Sequence, residues 1–195
     1  MATVISQEVA YKDYRVKNTS IDIEYQSIDD IIEGCRRKKR ESQKQLYFNY
    51  CDELFTTAIR ILHDQHMAED SLHDAFLKIF RDIKQLKSND SLKPWMKRVV
   101  INTSLHMLQR RRRIEYTDGT ALIDNVQVWD PLNGEHIEKA IMSLPEGYRI
   151  VFLLIEVEGY KHQEAAKILG ISEGTSKSQL HYAKQSLKRM LNDNK

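Results

Sequence analysis

The residue types best suited to touching a nucleic acid are gathered in two places. Between Ser172 and Leu191 stand Lys177, Ser178, Gln179, His181, Tyr182 and Lys184. Lysine approaches guanine N7 and O6 and glutamine pairs with adenine, so such a set on one helix face fits a major groove. Trp95, Lys97, Arg98 and Asn102 form the second set, just after the polar stretch Leu86–Lys93. An aromatic ring with Arg and Asn beside a flexible loop suits a single strand whose bases are unstacked. A third set is acidic: Asp70 and Asp74, one turn apart beside an apolar helix face, make a rim that can dock on a basic helical partner. His63, His66 and His73 with Asp64, Asp70 and Asp74 are metal-ligand types, but they lie on different stretches and no HExxH is present. No metal site and no cofactor is therefore expected. The sequence also lacks a GxxxxGK[ST] phosphate loop, so no nucleotide-hydrolysing site is expected.

Helices position these sets. The stretch His162–Ser172 has the spacing of a helix-turn-helix: Ala165 and Ala166 let a second helix cross closely, and Gly170 suits the left-handed residue that ends the first. Ile171 fills the angle between the two helices and Ser172 is a good N-cap. Beyond it Leu180, Ala183, Leu187 and Met190 form the inward stripe, which leaves the polar set outward. Upstream, Tyr47, Cys51, Leu54, Phe55, Ala58 and Leu62 recur at helical spacing, as do Ala68, Leu72, Ala75, Phe76, Ile79, Phe80, Ile83 and Leu86. A helix from Trp95 to about Arg111, with Pro94 at its first turn, buries Met96, Val99, Val100, Thr103 and Met107. A short amphipathic helix runs from Ile28 to Arg40, and four more are expected at Glu135–Ser143, Glu146–Glu156, Lys161–Leu169 and Ser172–Leu191. Ile114–Gly134 reads as an extended linker and residues 1–24 as a flexible arm. The expected fold is all-α: two small helical domains, 25–113 and 135–195, joined by an acidic flexible linker at 114–134.

Composition agrees with this. Of 195 residues, 41% are hydrophobic and 30% charged, with only 7 Gly and 3 Pro. That is too apolar for a disordered chain and too poor in turn residues for a sandwich or barrel. No apolar run approaches the roughly 18–20 residues that span a bilayer, and MATVISQEVAYKDY lacks the pattern of a secretion signal, so a cytoplasmic protein without membrane insertion is expected. Cys35 and Cys51 are too few for a disulfide framework. The net charge of +2 hides segregation: residues 36–113 carry 18 basic against 9 acidic side chains, while 114–134 carry four acids and no Lys or Arg. Clustered cations flanking an acidic connector imply a polyanionic partner for the helical blocks.

Three stretches together resemble an extracytoplasmic-function (ECF) sigma factor, a compact promoter-recognition subunit of bacterial RNA polymerase. Ala68–Phe80 is similar to the family's region 2.2, Trp95–Thr103 to the helix that enters the −10 element, and Leu144–Arg149 through Leu180 to region 4, which reads the −35 element. The resemblance implies a transcription initiation factor, not an enzyme. It would bind core polymerase at the β′ clamp helices and the β flap and direct it to promoter DNA. Asp70, His73, Asp74, Leu77 and Phe80 would dock on the polymerase. Ser88, Asn89 and Asp90 would capture a flipped −10 base, alongside Trp95, Lys97, Arg98 and Asn102. Arg149, Thr175, Lys177, Ser178, Gln179, His181, Tyr182 and Lys184 would serve the −35 duplex. A restraining anti-sigma factor or other regulator is a further implied partner. The Gly174–Gln179 run further resembles the branch common in Bacteroidetes, while Ser176, Gln179 and Tyr182 depart from the Val and basic residues of many members. The alternative is a dimeric helix-turn-helix regulator that acts without polymerase; it explains 135–191 but leaves the −10-like and docking helices as coincidences.

Overall fold

A computed structural model describes residues 27–118 and 136–192. The arm at 1–24 and most of the acidic linker lie outside the described residues. Within them all regular structure is helical, in agreement with the all-α expectation: α1 Ile28–Arg36, α2 Arg40–Leu62, α3 Gln65–Asp82, α4 Leu92–Asp118, α5 His136–Met142, α6 Glu146–Phe152, α7 His162–Leu169 and α8 Glu173–Asn192. The chain divides into two compact units, Met1–Leu46 and Tyr47–Lys195.

In the first unit, Ser27 caps α1 by accepting the Asp30 N–H at 3.2 Å, and Asp29 and Asp30 in the first turn oppose the helix dipole. The sequence expectation of one helix to Arg40 does not hold. The helix stops at Arg36, Lys38 adopts φ 59, and the Lys39 N–H donates to the Gly34 carbonyl at 2.9 Å. Five consecutive cations on one helix would stack like charges three and four residues apart, and the turn splays them. Gly34 is required here because a Cβ would collide with the Ser42 side chain.

The second unit begins within α2, where Cys51, Leu54, Ala58, Ile59 and Leu62 are buried. Asp64 caps α3 by accepting the Met67 N–H at 2.9 Å, and Ala68, Leu72, Ala75, Phe76 and Ile79 form its buried stripe. This face packs on α4, whose Met96, Val100, Ile101, Leu105 and Leu108 are buried. Two hydroxyls enclosed in the core, Ser71 and Ser104, satisfy each other at 2.8 Å. The helix α4 is longer than the sequence suggested, running from the buried Leu92 to Asp118, so the first five residues assigned to the linker are helical. Nothing between Pro94 and Gly119 breaks a helix, and Arg110–Arg113 are good helix formers. Its buried face is also rotated: Val99 and Met107 are only half-buried, while Ile101, Leu105 and Leu108 go inward.

Further along, Leu144, Ile150, Val151, Leu154, Ala165, Ala166, Leu180, Ala183 and Leu187 are buried where α5, α6 and α7 pack on α8. The expected regular helix to Glu156 instead widens into a π turn at Leu153–Val157, closed by Glu158 N–H to the Leu153 carbonyl at 3.0 Å. The Tyr160 N–H then donates to the Leu154 carbonyl at 2.9 Å, and Gly159 at φ 73 reverses the chain.

Both cysteines are free and buried, and burial pushes each thiol up to about 11; at Cys51 the neighbouring Asp52 adds to the effect. A raised thiol value means that the folded state favours the protonated form. Its contribution is therefore complete below the ordinary value of 9.0 and is lost as pH rises towards about 11. Iodoacetamide at pH 8 should label the folded protein about tenfold or more slower than the guanidinium-unfolded chain. Equal rates, followed by mass spectrometry, would show that these thiols are not enclosed.

Candidate nucleic-acid interface

The helix-turn-helix is built as its sequence implies. Gly170 takes φ 67, ψ 31, and the N–H groups of Gly170 and Ile171 both reach the Ala166 carbonyl, ending α7. Ser172 Oγ accepts the Thr175 N–H at 2.9 Å and starts α8. With Leu180, Ala183 and Leu187 inward, Lys177, Ser178, His181, Tyr182 and Lys184 are exposed on α8. Each is held locally. Lys177 pairs with Glu173 at 2.6 Å, and that hydrogen bond and charge hold the Glu173 carboxyl below its usual range. Lys184 pairs with Glu156 at 2.8 Å, and His181 meets Gln185 at 3.1 Å. Tyr182 stacks on Tyr148 with ring centres 5.9 Å apart. These partners are single contacts at the surface, weak enough to yield to a competing ligand.

Three residues of that set sit differently from expectation. Arg149 is buried, 4% exposed, and its guanidinium donates from Nε to the Arg60 carbonyl at 3.0 Å and from Nη1 to the Leu144 carbonyl at 3.1 Å. An arginine enclosed in this way does not present itself to a duplex. Gln179 is half-buried with its amide over Gly147, where a Cβ would lie 3.2 Å from Nε2. Thr175 is half-buried, its hydroxyl 2.8 Å from Ser172 Oγ.

Sequence reasoning also passed over a pair that fixes the motif from inside. Ser176 is fully buried and its hydroxyl lies 2.9 Å from His162 Nδ1. A hydroxyl at this core position is tolerable because the histidine on α7 satisfies it. The hydroxyl is thus satisfied inside the motif, on the side of α8 opposite its exposed polar face. The signal was the unexplained serine on an otherwise apolar stripe.

On α4, Arg98 and Asn102 are exposed, and Trp95 and Lys97 are half-buried. The preceding segment is not a shapeless loop: Asn89–Ser91 forms a 3-10 turn with Ser91 Oγ donating to the Ser88 carbonyl at 2.6 Å, and Ser88 and Asp90 are exposed beside the half-buried Asn89. Lys97 Nζ lies 3.4 Å from Glu53 and 3.3 Å from Glu158. At Glu53, burial would raise the carboxyl, but Lys93 at 2.9 Å and Lys97 outweigh it and hold it below the usual range. An open cavity of about 790 Å³ is lined here by Trp95, Lys97 and Arg98 together with Val157, Glu158 and Tyr160. Burial raises the Tyr160 phenol, with Arg98 opposing and Glu158 and Glu164 reinforcing.

The acidic rim of α3 is free of its own core: Asp70, His73, Asp74 and Leu77 are exposed, Leu77 by 56%, while Phe80 is half-buried against Phe76 at 5.7 Å between ring centres. The His63/His66/His73 group does not converge; among the described residues no cluster of His, Cys, Asp and Glu has metal-binding proximity. Among them, too, no helix is long and apolar enough to cross a membrane.

With this geometry in place, known proteins supply the frame. A family profile described as sigma-70 region 2 matches residues 46–114, and one described as sigma-70 region 4 matches residues 135–187. The ECF RNA polymerase sigma factor SigE of Mycolicibacterium smegmatis is 28% identical over 159 residues, covering 77% of this chain; the chain spans 62% of that relative's length. The ECF RNA polymerase sigma factor SigW of Bacillus subtilis is 25% identical over 161 residues, 74% of this chain and 86% of its own. In fold, the chain is similar to the sigma factor RpoE solved in complex with the anti-sigma factor NepR from Bartonella quintana, with a TM-score of 0.57 and 24% identity over 78% of this chain and 98% of that one.

The Ser176–His162 pair gives a test of the motif's interior. His162→Ala should cost about 1–2 kcal/mol by leaving the Ser176 hydroxyl unsatisfied, while His162→Ala with Ser176→Val should recover most of that loss. Urea denaturation measures both, and additive losses would disprove the coupling.

Proposed function

Because the chain belongs to the sigma-70 family, in its extracytoplasmic-function group, we propose that it directs core RNA polymerase to a specific set of promoters, reading the −35 duplex with α8 and holding the opened −10 strand on α4. The observation that carries this reading is the joint presence of both family regions, each with an exposed polar face on the helix the role requires. It acts as an initiation factor and not as an enzyme. The working division is a region 2 domain at 25–113, a linker at 114–134 into whose first five residues α4 continues, and a region 4 domain at 135–195.

On α8, Lys177, Ser178, His181, Tyr182 and Lys184 are the duplex-facing residues, with Thr175 at the helix start and Gln179 at the edge of the face. Arg149 has no place in that set while it is enclosed. On α4, Arg98 and Asn102 meet the strand directly and Trp95 and Lys97 flank it, with Ser88, Asn89 and Asp90 receiving an unstacked base. Unstacking costs a few kcal/mol per step, which capture of the base offsets. Asp70, His73, Asp74 and Leu77 provide the docking rim for the β′ clamp helices, with Phe80 supporting it from the core side, while region 4 reaches the β flap. An anti-sigma factor is the expected restraint, as in the complex of the Bartonella relative with NepR. The place of action is the cytoplasm, and the Gly174–Gln179 run supports a Bacteroidetes-like origin.

Run-off transcription with purified core polymerase and a genomic promoter library should yield discrete start sites; absence of any specified start would sink the proposal. Lys177→Ala should change −35 preference, a sound base contact being worth about 1–3 kcal/mol; an unaltered profile across −35 variants would remove α8 from that role. Asp74→Lys combined with Leu77→Ala should weaken core association about tenfold or more in pull-down, with promoter choice by the residual holoenzyme unchanged.

A further inference from the structure

We propose that Gly147 and Tyr148, in the first turn of α6, are positioning residues for base choice: they fix Gln179 and Tyr182 of α8 as a neutral reading edge that selects two adjacent A·T pairs. This rests on the reading of α8 as the duplex-facing helix and goes beyond it by naming what sets two of its side chains and which bases they take.

Gln179 and Tyr182 stand three residues apart and so share one face of α8. Along the helix axis that is about 4.5 Å, close to the roughly 3.4 Å rise of a base pair, so the two side chains meet neighbouring steps of a duplex. Cations flank them: Lys177 is tied to Glu173 and Lys184 to Glu156, whereas Gln179 and Tyr182 carry no charge. Both neutral groups are seated on α6. Gly147 leaves the Gln179 amide its room, since a Cβ there would stand 3.2 Å from Nε2 and 3.8 Å from Oε1. The next residue, Tyr148, is half-buried and stacks on the Tyr182 ring at 5.9 Å between centres with 24° between the planes. His181 meets the same ring edge-on at 5.7 Å and 71°. The Tyr182 ring is thus held on two sides while 51% of the residue stays exposed.

The chemistry of the two groups selects the bases. A primary amide offers both donor and acceptor, which complements the N6 amino group and N7 of adenine. Guanine presents two acceptors side by side and suits a bidentate cation instead. The face of an aromatic ring offers guanine no donor, but it packs on the methyl group of thymine. Seating both side chains before the duplex arrives removes rotamer freedom that binding would otherwise have to quench. Base preference is sharpened in this way without any contact from α6 to DNA.

The test uses the full chain with core polymerase and a template library randomised across the −35 element, with the transcribed templates sequenced. Wild type should favour A·T at two adjacent positions by about fivefold or more at each. Gln179→Ala should flatten one of these positions and Tyr182→Ala the other. Tyr148→Leu, which keeps apolar bulk but not the planar stack, should flatten the Tyr182 position alone, and Tyr148→Phe should restore it. Gly147→Ala, a change that favours the helix, should disturb the Gln179 position alone. An unchanged profile in either Tyr148→Leu or Gly147→Ala, a uniform loss at every position, or G·C at the positions that respond to Gln179 and Tyr182 would overturn the proposal. If Lys177→Ala, Gln179→Ala and Tyr182→Ala all leave the −35 profile unaltered, the role of α8 falls and the positioning role with it. A response to those three without one to the α6 variants overturns the positioning role alone.

Discussion

The seam between α3 and α4 is the constraint from which the two exposed faces of region 2 follow. A helix with one apolar stripe buries only that stripe, and here Leu72, Ala75, Phe76 and Ile79 meet a face of α4 that includes Met96, Val100 and Leu105. The enclosed Ser71–Ser104 pair adds direction to packing that would otherwise tolerate sliding, since a shift along either helix would strand two hydroxyls. Lys78 reaching Thr103 at 3.0 Å fixes the same register from the rim. Once that seam is set, Asp70, Asp74 and Leu77 have no choice but the outside of α3, and Arg98 and Asn102 the outside of α4.

Region 4 solves the same problem with smaller parts. Ala165 and Ala166 bring α7 close to α8, Gly170 turns the chain without steric penalty, and Ser176 is anchored to His162. The outward side of α8 is then free to carry almost nothing but polar groups. Its stacked Tyr148–Tyr182 pair ties that surface back to α6, so α8 is braced from both of its neighbours.

Local pattern was legible in the sequence and distant partnership was not. The inward stripe of α8, the glycine turn and the Ser172 cap each depend on residues within a few positions of one another, and each was found where the spacing put it, except that Met190 at the end of the stripe is only half-buried. Arg149 was misread as a duplex contact because its acceptors, the carbonyls of Arg60 and Leu144, include one 89 positions away. The same blindness applies to Lys97, whose two carboxylates come from α2 and from the turn after α6. The rotated face of α4 has a different cause: Val99 and Ile101 are equally apolar, and only the helices around them decide which goes inward. The π turn leaves no mark in residue types at all, because Leu153–Val157 is as good a helical segment as any.

Lys97 illustrates what two anionic neighbours do for a half-buried ammonium. An ammonium taken from water and then stripped of its counter-charge would be costly to strand. With Glu53 on one side and Glu158 on the other, losing the second leaves the first in place at 3.4 Å. A charge held from two sides in this way keeps a counter-ion whichever of the two carboxylates turns aside.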